Sequence, residues 1–212
     1  MKKKEKLTFY QKVYKNFSRI FTIIFRIKKT SGTENEPASG PCVLCANHTS
    51  LVDVLIIAVS AKRQVRYMAK KELFSVPIVA PIIKALGAFP VDRGGSDVSS
   101  IKHTLSLLEN GSLVGLFPQG TRHPGKNPRE TEVKGGVGMI VYRSKSNVLP
   151  VFVKTKNNKT GFMRRCEVIF GEVIKYNELS YTEGGSQEYK RASEYIFDKV
   201  CSLGERETEK QG

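Results

Sequence analysis

The sequence predicts one α/β domain, a mixed, largely parallel sheet flanked by helices, preceded by a basic amphipathic helix lying on a membrane surface. From Cys42 onward, short apolar runs alternate with helical patterns, the order that builds such a sheet. The 212 residues suffice to bury one core. Of the net charge of +15, +9 falls in residues 1–30, which sets that segment apart from an ordinary, mildly basic remainder. With 40% hydrophobic and 26% charged residues, disordered and collagen-like chains are excluded. No run of eighteen apolar residues is free of charge, which argues against a simple membrane-spanning protein.

In the leader, residues 1–30, Tyr10, Val13, Tyr14, Phe17, Ile20, Phe21, Ile24 and Ile27 recur at steps of three and four and trace one helix face. Lys12, Lys15, Arg19 and Arg26 lie largely away from it. A helix over residues 7–29 would be about 34 Å long, enough to cross a bilayer. Arg19 near its centre would then cost about 2.5–3.5 kcal/mol, so the helix is expected to lie in the interface, its cations towards anionic lipid. The alternative is a helix packed on its own domain with a solvated basic face. The same cations break up a signal-peptide pattern and no small-residue cleavage site follows, so the segment is expected to be retained. The apolar face is too continuous for a phosphate-binding arm, so nucleic acid is not an expected partner. These features predict a peripheral or monotopic protein on the cytoplasmic face of a membrane.

Residues 31–41, SGTENEPASGP, are polar and turn-rich and read as a linker. The domain is expected over 42–203. Its strand patterns fall at 42–46, 65–69, 88–91, 113–117, 148–153 and 166–170, and its helical patterns at 51–61, 77–86, 97–109, 137–145 and 187–202. The third helix has Asp97 as a cap, Ile101, Leu105 and Leu108 on one face, and Gly111 just past its end. Residues 204–212 are charged and expected to fray.

Cys42 and Cys45 form a C-x-x-C, but neither a second pair nor a nearby His completes a zinc spacing, and Cys166 and Cys201 stand alone. Cys42 and Cys45 are expected to be small buried residues, which fits a reducing compartment, and no metal is expected. The run from Gly120 to Asn127 nearly matches a phosphate-binding P-loop, yet Asn127 stands where Ser or Thr is required and Pro128 follows it. G-x-S-x-G and H-E-x-x-H are absent, and GGVG at 135–138 lacks the third glycine of a dinucleotide fingerprint.

What remains is a polar constellation at strand ends. Asn47 and His48 follow the first domain strand directly, and Asp53 comes five residues after His48. On one continuous helix the two would stand about 140° apart. They can meet if His48 sits in the turn before the helix and Thr49 or Ser50 caps it. Asp would then fix the imidazole tautomer and leave the other ring nitrogen as a general base. An N-cap histidine beside a solvated aspartate would give the same spacing. His103 and His123 read as bystanders. Arg93 and Arg122 each stand just beyond a strand, where a guanidinium can grip a phosphate at two points. Gly120 permits close backbone approach, the Thr121 hydroxyl adds a donor, and Lys134 precedes a helix whose N-terminus favours an anion.

In this order the residues resemble the glycerolipid acyltransferases, specifically the 1-acyl-glycerol-3-phosphate (lysophosphatidate) acyltransferases. The resemblance spans roughly residues 42–153 in four ordered blocks: NHTSLVD, GAFPVDR, FPQGTR and LPVFV. It implies that fold, His48 as base with Asp53 as its orienting partner, and Arg93, Gly120, Thr121 and Arg122 on the substrate phosphate. Asn47 supports the first block, and Pro150 would shape the acyl-donor side. Gln119 departs from the family's usual Glu; its acceptor oxygen keeps a hydrogen-bonding role possible, whereas a role that needs charge is lost. His123 and Pro124 replace the common Ser continuation. The implied reaction moves an acyl group from an acyl-coenzyme A or acyl carrier protein thioester to the sn-2 hydroxyl of lysophosphatidate, without other cofactor or metal. Acylation of another lysophospholipid or of glycerol 3-phosphate, or non-catalytic binding of anionic lipid, stay open as alternatives.

Overall fold

The computed structural model describes residues 22–77, 79–85, 87–91 and 98–209. Seven strands form one sheet: β1 (Ile27–Ser31), β2 (Cys42–Ala46), β3 (Val65–Lys70), β4 (Phe89–Val91), β5 (Leu113–Leu116), β6 (Asn147–Thr155) and β7 (Cys166–Phe170). They lie in the order β1-β7-β6-β2-β5-β3-β4. The β6–β7 pair is antiparallel and every other pair is parallel, so the mixed, largely parallel sheet expected from the sequence is what forms. The α-helices are α1 (Val52–Ser60), α2 (Val79–Ala85), α3 (Val98–Glu109), α4 (Gly136–Ser144) and α5 (Ser186–Glu209).

All five residues of β2, the central strand, are buried because both sheet faces are covered. Side chains alternate along a strand. Accordingly Cys42, Leu44 and Ala46 pack with Ile56 and Ile57 of α1 on one face. Val43 and Cys45 pack on the other with Leu108 of α3, Ile140 and Val141 of α4 and Ile196 and Val200 of α5. Gly115 in β5 is needed on the first face, where the Tyr67 ring occupies the space a Cβ would take. The helix over 98–109 ends as its sequence predicts: Gly111 is left-handed, and the amides of Gly111 and Ser112 donate back to the carbonyls of Leu108 and Leu107 (2.8 and 3.0 Å). Its expected cap, Asp97, lies outside the described residues.

Cys42 and Cys45 are free and buried, as read from the sequence, and so are Cys166 and Cys201. Among the described residues, no His, Cys, Asp or Glu group is placed to hold a metal ion, and no helix is long and apolar enough to cross a membrane.

Three boundaries differ from expectation. The leader helix does not run to residue 29. A helical turn at 22–24 ends at Arg26 (φ 45°), and Ile27–Ser31 becomes β1, parallel to β7. The burial of Phe25 and the pairing of Ile27 with Cys166 hold this segment to the sheet, while Lys28 and Lys29 stay exposed, as suits an edge strand. The sheet therefore starts within the expected leader, and part of the 31–41 linker is ordered against the domain, with the Asn35 side chain donating to the Phe170 carbonyl (3.2 Å). Residues 7–21, most of the expected amphipathic helix, lie outside the described residues, as do residues 1–6.

The third difference is at the other end. Rather than fraying from residue 204, α5 continues to Glu209. Arg129 clasps its last turns, bonding Asp198 (2.7 Å), Ser202 (3.1 Å) and both Glu205 oxygens. Gly204 sits where a Cβ would strike the Phe152 ring, so its small size lets the helix lie flat on β6.

Candidate active site

Parallel strands bring their C-terminal ends to one edge of the sheet, where an open α/β fold exposes its functional groups. His48 follows β2 and the loop 117–122 follows neighbouring β5. Asn47 locks the exit of β2 to β6: its amide donates to the Val153 carbonyl (3.1 Å) and accepts from the Val153 amide (2.8 Å). The chain then turns before α1, and Asp53 in the first helical turn folds back onto it.

Asp53 is fully buried and surrounded by donors. Its Oδ2 accepts from the amides of Thr49 (2.6 Å) and Ser50 (2.8 Å) and lies 3.0 Å from His48 Nδ1. Its Oδ1 accepts from the hydroxyl of Thr160, and the Thr49 hydroxyl is 3.4 Å away. The expected cap is only partly there. The helix N-cap is Leu51, the Ser50 hydroxyl accepts from the Val52 amide at 3.4 Å, and the Asp53 carboxylate closes the turn through the Thr49 and Ser50 amides. This is how two residues five apart meet. An ionised carboxylate only accepts hydrogen bonds, so Nδ1 carries the imidazole hydrogen and Nε2 is left as the acceptor. The ring stacks on Phe117 with centroids 3.9 Å apart and planes at 13°, which fixes its tilt. The arrangement is suited to take a proton at Nε2.

Gln119 supports the same histidine through the backbone. Only 1% exposed, it accepts the His48 amide hydrogen at Oε1 (2.7 Å) and donates from Nε2 to Thr131 Oγ1 (2.8 Å), which donates to the Pro128 carbonyl (2.6 Å). Donor and acceptor are both used, so the amide suits a position where the family pattern has a carboxylate. Gln119→Leu strands the His48 amide and should cost about 1–3 kcal/mol, lowering both melting temperature and activity. Gln119→Glu keeps the acceptor, and a rotated Thr131 hydroxyl can donate to the new oxygen. Its activity should stay within about tenfold of wild type on the same reasoning. Thermal melts and steady-state rates of the two variants check this.

Gly120, Thr121, Arg122 and Lys134 follow from the neighbouring strand β5 and the loop after it. Gly120 is left-handed (φ 68°), and a Cβ on it would come 2.9 Å from Lys134 Cδ, so the 120–122 loop and Lys134 are neighbours. The Lys134 amide donates to the Pro118 carbonyl (2.8 Å), and the His123 amide returns to the His48 carbonyl (2.9 Å). Thr121, Arg122 and Lys134 are exposed and available to a ligand. Pro150 is buried within β6 opposite Cys45. Arg93 lies outside the described residues.

The family model described as Acyltransferase matches residues 28–154, more than half of the chain. The chain belongs to the acyltransferase family. A 1-acyl-sn-glycerol-3-phosphate acyltransferase of Bacillus subtilis is 31% identical over 175 residues, covering 80% of this chain and 86% of the relative. One from Streptococcus pneumoniae is 32% identical over 142 residues, covering 65% of this chain and 51% of its own. The crystal structure of the 1-acyl-sn-glycerophosphate acyltransferase of Thermotoga maritima superposes with a TM-score of 0.73 at 23% identity, over 94% of this chain and 79% of that one, which establishes a shared fold.

Within this acyltransferase, sequence reasoning missed Thr160, Phe117 and Thr131 as parts of the site. Thr160 is the most consequential, since it reaches Asp53 from a loop outside both the matched region and the four blocks. A lone Thr in a polar loop carries no periodic or spacing signal. Only the antiparallel return of β6 into β7 places it there.

Proposed function

We propose that this acyltransferase moves a fatty acyl group from a thioester to the sn-2 hydroxyl of 1-acyl-glycerol 3-phosphate, giving phosphatidate for phospholipid synthesis. The observation that carries the reading is the buried Asp53 holding His48 Nδ1, with Nε2 left to act. Nε2 takes the acceptor hydroxyl proton as that oxygen attacks the thioester carbonyl. Collapse of the tetrahedral adduct forms the ester and breaks the carbon–sulfur bond, and the imidazolium returns its proton to the leaving thiolate. Arg93, Arg122 and Lys134, with Gly120 and Thr121, hold the acceptor phosphate and so align the hydroxyl. Pro150 acts indirectly, from within β6 on the acyl-donor side.

Transfer is direct. Burial pushes the thiols of Cys42, Cys166 and Cys201 up to about 12 and that of Cys45 well above its ordinary value, so none offers a thiolate to carry the acyl group. These steps call on no metal and no cofactor besides the donor thioester, which is acyl-coenzyme A or acyl carrier protein. The protein works on an anionic membrane, peripherally and on the cytoplasmic face, where donor and lysolipid meet, and nucleic acid has no part in it.

The test is thiol release from each donor in detergent with lysophosphatidate, other lysophospholipids or glycerol 3-phosphate as acceptor. Release that depends on lysophosphatidate and yields phosphatidate is expected. Release with another acceptor in its place would overturn the substrate assignment, and no release with any acceptor would overturn the enzyme.

A further inference from the structure

The loop 156–165, KNNKTGFMRR, crosses from β6 to β7 and has an unusual surface. Phe162 and Met163 are adjacent at its tip and are 68% and 62% exposed. The Met163 amide donates to the Ile24 carbonyl (3.0 Å), which places the loop against the turn that carries Ile23, itself 73% exposed. One edge of the Phe162 ring rests near the buried Phe25, with centroids 5.6 Å apart, so the tip is held rather than free. Beside it a cleft of about 370 Å³ is lined by Arg26, Lys156, Asn157, Lys159, Arg164 and Arg165, five cations with no carboxylate among them. None of the five is in an ion pair with another described residue.

Large apolar side chains set side by side in water are unfavourable, and a cluster of like charges adds repulsion. Both features are relieved at a lipid–water interface, where apolar tips enter the acyl boundary and cations meet headgroup phosphates. We infer that loop 156–165, together with Ile23, is a docking surface for an anionic bilayer, with Phe162 and Met163 inserted and the five cations on phosphate. Charge alone would also suit an acidic protein, but would leave the held, exposed Phe162–Met163 tip without a purpose. The described residues begin at Thr22, two before Ile24, and the sequence of residues 1–21 holds seven Lys and Arg against one Glu. The same loop supplies Thr160, two residues before Phe162, to Asp53. Docking therefore sets the His48–Asp53 pair beside the lipid surface. The inference rests on the proposed reaction only for its purpose, because lipid binding is measured without turnover.

The chain contains no tryptophan, which allows a direct test in the full-length protein. Phe162→Trp puts a single fluorophore at the tip, and Tyr195→Trp puts one on exposed α5, which packs on the opposite sheet face. With vesicles of equal parts phosphatidylglycerol and phosphatidylcholine, the first should shift to the blue and be quenched by acyl-brominated lipid, and the second should do neither. Adding Arg164→Glu and Arg165→Glu to the first should weaken vesicle binding about tenfold or more. Vesicle co-sedimentation without tip quenching, equal quenching at both positions, or a tip shift with acyl carrier protein but not with vesicles would each overturn the inference. Thiol release by the tip variant in detergent, assayed separately, distinguishes failure of docking from failure of the enzymatic reading.

Discussion

His48→Ala is expected to lower lysophosphatidate-dependent thiol release by a factor of about 10²–10⁴, the range that a positioned general base supplies. The fold should survive the change. The backbone bonds at this position, from the His48 amide to Gln119 and from the His123 amide to the His48 carbonyl, do not involve the imidazole. The ring lies at the margin of the core against Phe117 rather than within either apolar cluster. Circular dichroism and a thermal melt within a few degrees of wild type, alongside the lost rate, would assign the loss to chemistry. A folded variant that kept its rate would remove His48 from the mechanism.

Asp53→Asn is the second large effect, and it reaches further than the histidine change. The groups around Oδ2, the amides of Thr49 and Ser50 and His48 Nδ1, donate, whereas the Thr160 hydroxyl at Oδ1 can also accept, so the effect of the new amide depends on which way it is flipped. Turned towards Oδ2's partners, it faces the amides of Thr49 and Ser50 and His48 Nδ1. The imidazole hydrogen then moves to Nε2 and the base is blocked. Turned towards Thr160, it donates to the rotated hydroxyl and keeps the tie to loop 156–165, but the carboxylate charge that stabilises the imidazolium is gone. In enzymes with a histidine held by a buried aspartate, such a loss of tautomer control costs about 10⁴ in rate. The rate loss should appear in kcat, with the acceptor KM little changed, because the residues proposed to hold the phosphate are untouched. If the NH₂ faces the Thr49 and Ser50 amides, those unsatisfied donors should also lower stability by about 1–3 kcal/mol, visible as a reduced melting temperature. A drop confined to KM would contradict the orienting role.

The domain was legible wherever one periodicity ran uninterrupted between turn signals. CVLCA has no polar residue and became the central strand, and the three- and four-step pattern before Gly111 became α3. Edges were not legible for the same reason. Ile27–Ser31 has one apolar residue among charges, and its strand character comes from β7, which lies far along the chain. The acidic, basic stretch after residue 203 shows no local reason to stay helical, because the reason is Arg129. Within the site, the spacing of His48 and Asp53 allowed contact only by way of a turn, and the block order, more than the spacing, singled them out. Thr160 and Thr131 contribute single hydroxyls whose value depends on the direction of one hydrogen bond each, and no pattern in a lone sequence encodes that.

The pairing of β1 with β7 also has a consequence for how the protein is made. Ile27 leaves the ribosome well before its partner Cys166 exists. At typical synthesis rates the wait is roughly 10–30 s, long compared with the collapse of a small chain. During that interval the cationic residues ahead of β1 are tethered to a domain that cannot yet take up its first strand. The strand made first is thus among the last to pair, and the sheet cannot be complete until β7 has been made. Completion of the sheet is then ordered by topology, with the last strand acting as the latch.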